Sequence, residues 1–208
     1  MNESFPNPKT AGESEKAPNL KFAQLAPEVW KALGELPRTV WVRRGVENPE
    51  TVQDHIVALR VLANSFGNLT DEEKDGLFDM LEVHDWPEAI HGDEVITTID
   101  EAERKMLKAI KFENEKKALT QICSGMGDAG EEIMKLWLRF ESSGDAAASF
   151  GRQLDKYQAV EKALEYEKEQ HIPLFEEFYT YALPYISHPI LLDRMSALKL
   201  EWEVLQKK

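Results

Sequence analysis

The chain has 208 residues, with 38 Asp+Glu against 25 Lys+Arg, a formal net charge of −13 and a sequence pI near 4.9. That length suits one domain with a real hydrophobic core. The charge argues against a nucleic-acid polymer or an anionic membrane surface as partner, because each is met by a basic face. Residues 1–19 are rich in Pro, Asn, Ser, Glu and Lys, with Phe5 their one bulky apolar side chain. Such a segment buries too little apolar area to offset its ordering entropy, so a mobile tail is expected before a domain spanning 20–208. Met1 to Pro6 lack the basic and apolar blocks of a signal peptide, and no apolar run reaches transmembrane length. Cys123 is the only cysteine, which excludes a disulfide within the chain. A cytoplasmic location is expected.

From Leu20 the apolar pattern turns helical, with Phe22, Leu25, Val29, Leu33 and Leu36 at steps of three and four and Pro37 closing the segment. Residues 38–49 read as a loop that gathers Arg38, Arg43, Arg44 and Trp41. A helix is expected from about Glu50 to Phe66, its apolar face made by Val52, Ile56, Leu59, Leu62, Ala63 and Phe66. Thr70 and Glu73 form a capping-box pattern. It opens a helix through Leu77, Phe78, Leu81 and Val83 to His84-Asp85-Trp86-Pro87-Glu88. Gly92-Asp93 ends that run. Val95 to Ile99 are β-branched but short and isolated, so they read as loop. Further helices are expected near 100–112, 128–141, 145–169, 173–183 and 189–206. No strand alternation is long enough for a sheet, which leaves an all-α, single-domain helical bundle. Ile190, Leu191, Leu192, Leu198, Leu200, Trp202 and Leu205 make the last helix apolar enough either to close the core or to form a homodimer interface.

His84 and Glu88 are four residues apart and Asp85 and Glu88 three apart, so on a helix these side chains project from about one turn. Pro87 lacks a backbone donor and marks that turn as a helix end. His55, with Asp54 beside it, lies on the preceding helix, and Asp155 on a much later one. Two imidazoles with carboxylates suit Mn²⁺, Fe²⁺, Co²⁺ or Zn²⁺, while Mg²⁺ prefers mostly oxygen. A divalent ion of this kind activates water and neutralises phosphate oxygens. On spacing alone, His84-Asp85 reads first as a helix-end histidine beside a solvated aspartate.

Read together, these residues resemble the HD-domain metal-dependent phosphohydrolases, whose pattern is H…HD…D on an all-α fold. Pro49-Glu50-Thr51-Val52-Gln53-Asp54-His55 is similar to the family's approach to its first ligand. Within Leu81 to Asp93, the run from His84 to Asp93 is similar to the family's H-D-x-x-E-x-x-x-G-D. Gln153-Leu154-Asp155-Lys156, followed by Glu165-Tyr166-Glu167, resembles the last motif of the small 5′-deoxynucleotidase subgroup, and Pro37 to Arg44 also fits that subgroup. The resemblance implies that His55, His84, Asp85 and Asp155 bind a catalytic divalent metal. It gives Glu88 and Asp93 catalytic roles, toward the attacking water, the substrate or a second cation. Arg38, Trp41 and Arg44 become candidates for contacting the nucleotide, through guanidinium–phosphate pairing and indole stacking, with core packing an equal reading of Trp41. The implied reaction is hydrolysis of a (deoxy)nucleoside 5′-monophosphate to nucleoside and phosphate, by a protein whose relatives often dimerise. Two alternatives share these residues. One is an HD-type hydrolase of a cyclic or hyperphosphorylated nucleotide; the other is a non-catalytic nucleotide- or metal-binding regulatory module. Trp86-Pro87 is bulkier than the pattern calls for and is expected to reshape the pocket wall. Residues 113–130 match poorly. His91, His171 and His188 occupy no ligand position and are expected to be structural.

Overall fold

The computed structural model describes residues 20–142 and 144–207. The tail expected over 1–19 lies outside the described residues. Among those described the fold is helical throughout, in the order α1 (Pro27–Glu35), α2 (Thr39–Val42), α3 (Val52–Asn64), α4 (Asp71–Lys74), α5 (Leu77–Val83) and α6 (Glu88–His91). There follow α7 (Glu101–Cys123), α8 (Asp128–Ser142), α9 (Ala146–Gln170), α10 (Phe175–Ala182) with a 3₁₀ turn at Leu183–Tyr185, and α11 (Pro189–Leu205). Backbone pairing of the β type is limited, among the described residues, to a bridge between Pro37 and Thr51.

Local chemistry sets several of these boundaries differently from the apolar pattern. Phe22 and Leu25 precede α1 rather than belonging to it, because Pro27 fits only the first turn of a helix. Phe22 is buried while Leu25 is exposed. The expected loop after Pro37 contains the one-turn helix α2. Helix α3 begins at Val52, where the Thr51 side chain accepts from the Asp54 backbone and the Asp54 carboxylate accepts from Thr51. Asp54 is therefore a capping residue and does not belong to a cation site. The Thr70–Glu73 capping box forms, but the helix it opens lasts only as far as Lys74. Gly76 then adopts φ 69°, a left-handed conformation that interrupts the i→i−4 ladder, and α5 starts afresh. Helix α7 runs well past its expected end near 112, and only Ala118 and Leu119 of its residues are buried. Its Lys-, Glu- and Ala-rich sequence carries high helix propensity without an apolar stripe to reveal its length.

Two apolar clusters meet around α3 and α5. The larger joins Leu59, Leu77, Met80 and Leu81 to Phe150, Leu154, Leu164, Phe175 and Leu191. The smaller joins Phe22, Leu33, Val52, Ile56, Val83, Trp86, Ile133 and Trp137. Trp86 is fully buried there, edge-on to Phe22, so it is a core residue and not the pocket wall expected of it. Leu191 of α11 is buried, and Ile190, Leu198, Trp202 and Leu205 pack on the larger cluster, whereas Leu192 and Leu200 are exposed. Among the described residues no helix is long and apolar enough to cross a membrane.

Candidate metal centre

Helices α3 and α9 and the turn after α5 converge on one polar spot inside this apolar frame. His55 comes from the first turn of α3, Asp155 from the middle of α9, and His84-Asp85 from the turn that joins α5 to α6. His55 is fully buried and His84 nearly so. One ligand-type atom each from His55, His84 and Asp155 lies within 4.8 Å of the others. His55 Nε2 is 3.3 Å from Asp155 Oδ1 and 3.6 Å from Asp85 Oδ2, and His84 Nε2 is 3.1 Å from Asp85 Oδ2.

The two imidazoles are oriented from behind. His55 Nδ1 lies 3.0 Å from Gln158 Oε1, and His84 Nδ1 lies 2.9 Å from the Leu81 carbonyl oxygen. Both partners are acceptors, so each Nδ1 carries a proton and each Nε2 points inward at the carboxylates, where Asp85 favours a proton on His84 until a cation takes its place. Both Nε2 atoms are buried and without a hydrogen-bond partner. Two bare imidazole nitrogens flanked by two carboxylates form a donor set that fits a divalent ion of the mid-transition series.

The carboxylates are ready to bind a cation. Burial alone would push the Asp85 carboxyl up, but His84, Arg38 and His55 outweigh it and hold it well below the usual range. Burial acts on Asp155 in the same sense and is overcome by Lys156, whose Nζ is 2.6 Å from Oδ2, and by His55.

Glu88 and Asp93 stand beside this group. Glu88 is buried, its Oε2 has no partner, and Lys111 Nζ lies 3.9 Å from its Oε1. Burial, reinforced by Asp85 and Asp93, raises its carboxyl well above the ordinary value. Asp93 Oδ2 accepts from the Thr39 backbone N–H at 2.6 Å and lies 3.9 Å from Arg38 Nε. Arg38 donates through Nη1 to Asp85 at 3.1 Å, which places a guanidinium at the edge of the ligand set.

The other two nucleotide candidates go elsewhere. Trp41 is buried, stacks on Phe178 with ring centroids 4.5 Å apart, and meets Tyr166 edge-on. Its indole is thus enclosed by the core, and no base can stack there. Arg44 pairs with Glu177 of α10 and lies over the Phe178 ring, so its hydrogen bonds go to α10 and the Val40 carbonyl rather than to the centre. Of the remaining histidines, His188 bonds Glu73 and His171 caps α9 in a left-handed conformation.

Sequence reasoning missed Lys111 and Glu115 of α7, which pair at 3.2 Å beside Glu88. Their i,i+4 spacing was a visible helix signal, but nothing local tied it to the site. It also missed Gln158, whose position three residues after Asp155 on one helix face was the available clue.

The sequence matches the HD-domain family over residues 31–190. It is 32% identical over 186 residues to the human 5′-deoxynucleotidase HDDC2, covering 88% of this chain and 85% of that protein. The Bos taurus protein of that name is 34% identical over 186 residues, with coverage of 88% and 84%. The Schizosaccharomyces pombe 5′-deoxynucleotidase hdd1 is 29% identical over 182 residues, with coverage of 83% and 88%. In fold, the chain resembles a crystal structure of a Pyrococcus horikoshii protein, with a TM-score of 0.63 and 22% identity over 84% of this chain and 97% of that one.

Proposed function

The chain belongs to the HD-domain family, and from that premise we propose that it hydrolyses (deoxy)nucleoside 5′-monophosphates to nucleoside and inorganic phosphate in a divalent-metal-dependent reaction. The observation that carries this reading is the pair of buried, unpartnered Nε2 atoms of His55 and His84 facing Asp85 and Asp155. The relatives named 5′-deoxynucleotidase support the nucleotide as the substrate class.

His55, His84, Asp85 and Asp155 would hold the ion. When bound, it supplies Lewis acidity, polarising a phosphoryl oxygen and acidifying water. Arg38 is the cation of this chain placed to neutralise the non-bridging oxygens, and its fork suits two of them at once. Glu88 Oε2, buried and unpartnered, is the atom that takes the proton of the attacking water. Its raised pKa brings it toward the range in which a carboxylate works as a general base near neutral pH. In-line attack forms the new oxygen–phosphorus bond as the bond to the 5′ oxygen breaks; that oxygen takes a proton from solvent water and leaves as the nucleoside hydroxyl, and Glu88 returns the proton it took to solvent. Lys111, beside Glu88, steadies the carboxylate between these events.

Asp85 touches both imidazoles and Arg38, so its removal tests the assembly as a unit. The Asp85→Ala protein is expected to lose bound metal, measured by elemental analysis, and phosphate release together. Full activity in that variant contradicts the proposal.

A further inference from the structure

Behind His55 a chain of hydrogen bonds runs away from the centre through groups that neither the reaction nor the ligand set requires. Gln158 Oε1 accepts from His55 Nδ1 at 3.0 Å, and Gln158 Nε2 donates to Glu50 Oε2 at 3.1 Å. The other Glu50 oxygen accepts from Trp41 Nε1 at 2.9 Å. The Glu50 backbone N–H donates to the Tyr166 hydroxyl at 2.7 Å. Gln158, Glu50 and Trp41 are 3%, 8% and 1% exposed, so water does not compete for these groups.

The order of donors and acceptors along this chain is forced. An indole nitrogen only donates, and a carboxylate only accepts. Glu50 is thus occupied as an acceptor by Trp41 on one oxygen and must receive the Gln158 amide nitrogen on the other. That settles which way the Gln158 amide points, an orientation that the shape of an amide alone leaves open. With its NH₂ held by Glu50, Gln158 can present only oxygen to His55. His55 must then carry a proton on Nδ1, which leaves Nε2 as the atom that would give its lone pair to the ion. His84 needs no such device, because its Nδ1 meets the main-chain carbonyl of Leu81.

We propose that Gln158 and Glu50 are positioning residues that lock the tautomer of His55, and through it set the affinity of the centre for its ion, with Trp41 as the fixed end of the relay. This rests on the reading of His55 as a metal ligand. It also gives Trp41 a place in the site's architecture, because the turn that carries Trp41 also carries Arg38 and Thr39, which contact Asp85 and Asp93. Metal affinity and the placement of the phosphate-facing guanidinium thereby share one anchor.

The test uses isosteric exchanges within the full chain. In Glu50→Gln, residue 50 is able to donate to Gln158, so the Gln158 amide is free to turn its NH₂ toward His55 and favour the wrong tautomer. In Gln158→Glu, two carboxylates face each other across the 3.1 Å contact. The double exchange Glu50→Gln with Gln158→Glu restores the donor–acceptor order. The carboxylate at position 158 then accepts from His55, and the amide at position 50 donates to that carboxylate. Affinities for Mn²⁺, Co²⁺ and Zn²⁺ are measured by competition with a chromophoric chelator, alongside the Tm of each metal-free protein. Glu50→Gln is expected to weaken binding by about 10–100-fold; Gln158→Glu, whose carboxyl shares a proton with Glu50 and still accepts from His55, is expected to keep it, and the double exchange to recover most of the loss. His55→Ala serves as the reference for losing the ligand itself. A Glu50→Gln protein that binds as tightly as the parent overturns the relay, and so does a double exchange that stays as weak as Glu50→Gln alone. A parent protein that binds none of the three ions instead overturns the metal reading on which the relay rests.

Discussion

Glu88 brings a carboxyl into a buried, already acidic spot, with Asp85 and Asp93 as neighbours and Arg38 and Lys111 as the nearby cations. Its folded-state pKa is raised above the ordinary value of 4.5, so between that value and the raised one the folded protein binds more protons than the unfolded chain. Stability contributed by this group is therefore present at low pH and is lost as pH rises through that window. Glu88→Gln removes the loss. Compared without metal, the variant is expected to match the parent in Tm at about pH 4 and to exceed it by a few degrees at about pH 8; with metal supplied, it is expected to lose phosphate release. A variant less stable than the parent at the higher pH contradicts this account of Glu88. At this scale the grouping of His55, His84, Asp85 and Asp155 was legible in the sequence, because few side-chain types suit a divalent ion and their order along the chain is distinctive. Trp41 was not, since an indole offers the same letter whether it stacks on a base or on Phe178. Glu50 and Gln158 were invisible as a pair, because their role depends on a contact across 108 residues.

Helix α9 shows how an element places a site. Gly151 lies one helical turn before Asp155, on the same face. A Cβ built on Gly151 would stand 3.1 Å from Phe140 Cε2 and 3.3 Å from Leu77 Cδ1. The absence of a side chain thus lets α9 approach α5 and α8 closely, and Asp155 arrives at the imidazoles from that closeness. Gly151→Val should cost about 1–3 kcal/mol through overpacking, lowering Tm by roughly 2–10 °C. It should also weaken metal binding, since α9 must retreat with its carboxylate. Unchanged metal affinity alongside a lowered Tm contradicts the second half of this prediction. The amphipathic helices α3 and α9 and the capping residue Thr70 were readable, because period and cap chemistry are local; the Thr51 cap, just inside the helix expected from about Glu50, was not. The division of α4 from α5 depends on Gly76 adopting a positive φ, which its sequence neighbours do not dictate. The length of α7 was hidden because most of that helix is solvated and carries no stripe.

At the scale of the whole molecule, a protein of charge −13 receives an anionic substrate. The two facts agree because the positive charge is local. Arg38, Lys111 and Lys156 crowd the site together with the ion that its histidines and aspartates would hold, while the acidic excess faces solvent elsewhere. A long polyanion samples the whole surface and is repelled; a single phosphate samples only the pocket. Heparin or single-stranded DNA should therefore fail to inhibit phosphate release at about 0.1 M salt, and strong competition by either contradicts this picture. The all-α architecture was legible from the helical period of most segments and from the lack of strand alternation, but the meeting of its two apolar clusters around α3 and α5 depends on packing that no local pattern carries. The measurement that bears most directly on the central claim is release of inorganic phosphate by the metal-stripped protein, before and after adding Mn²⁺, Co²⁺, Mg²⁺ or Zn²⁺ singly. The substrates are 2′-deoxynucleoside 5′-monophosphates, with cyclic and hyperphosphorylated nucleotides alongside. The stripped protein is expected to be silent, and at least one ion to restore release from the monophosphates but not in His55→Ala. Release that persists in excess chelator, or silence toward every monophosphate with every ion, contradicts the account.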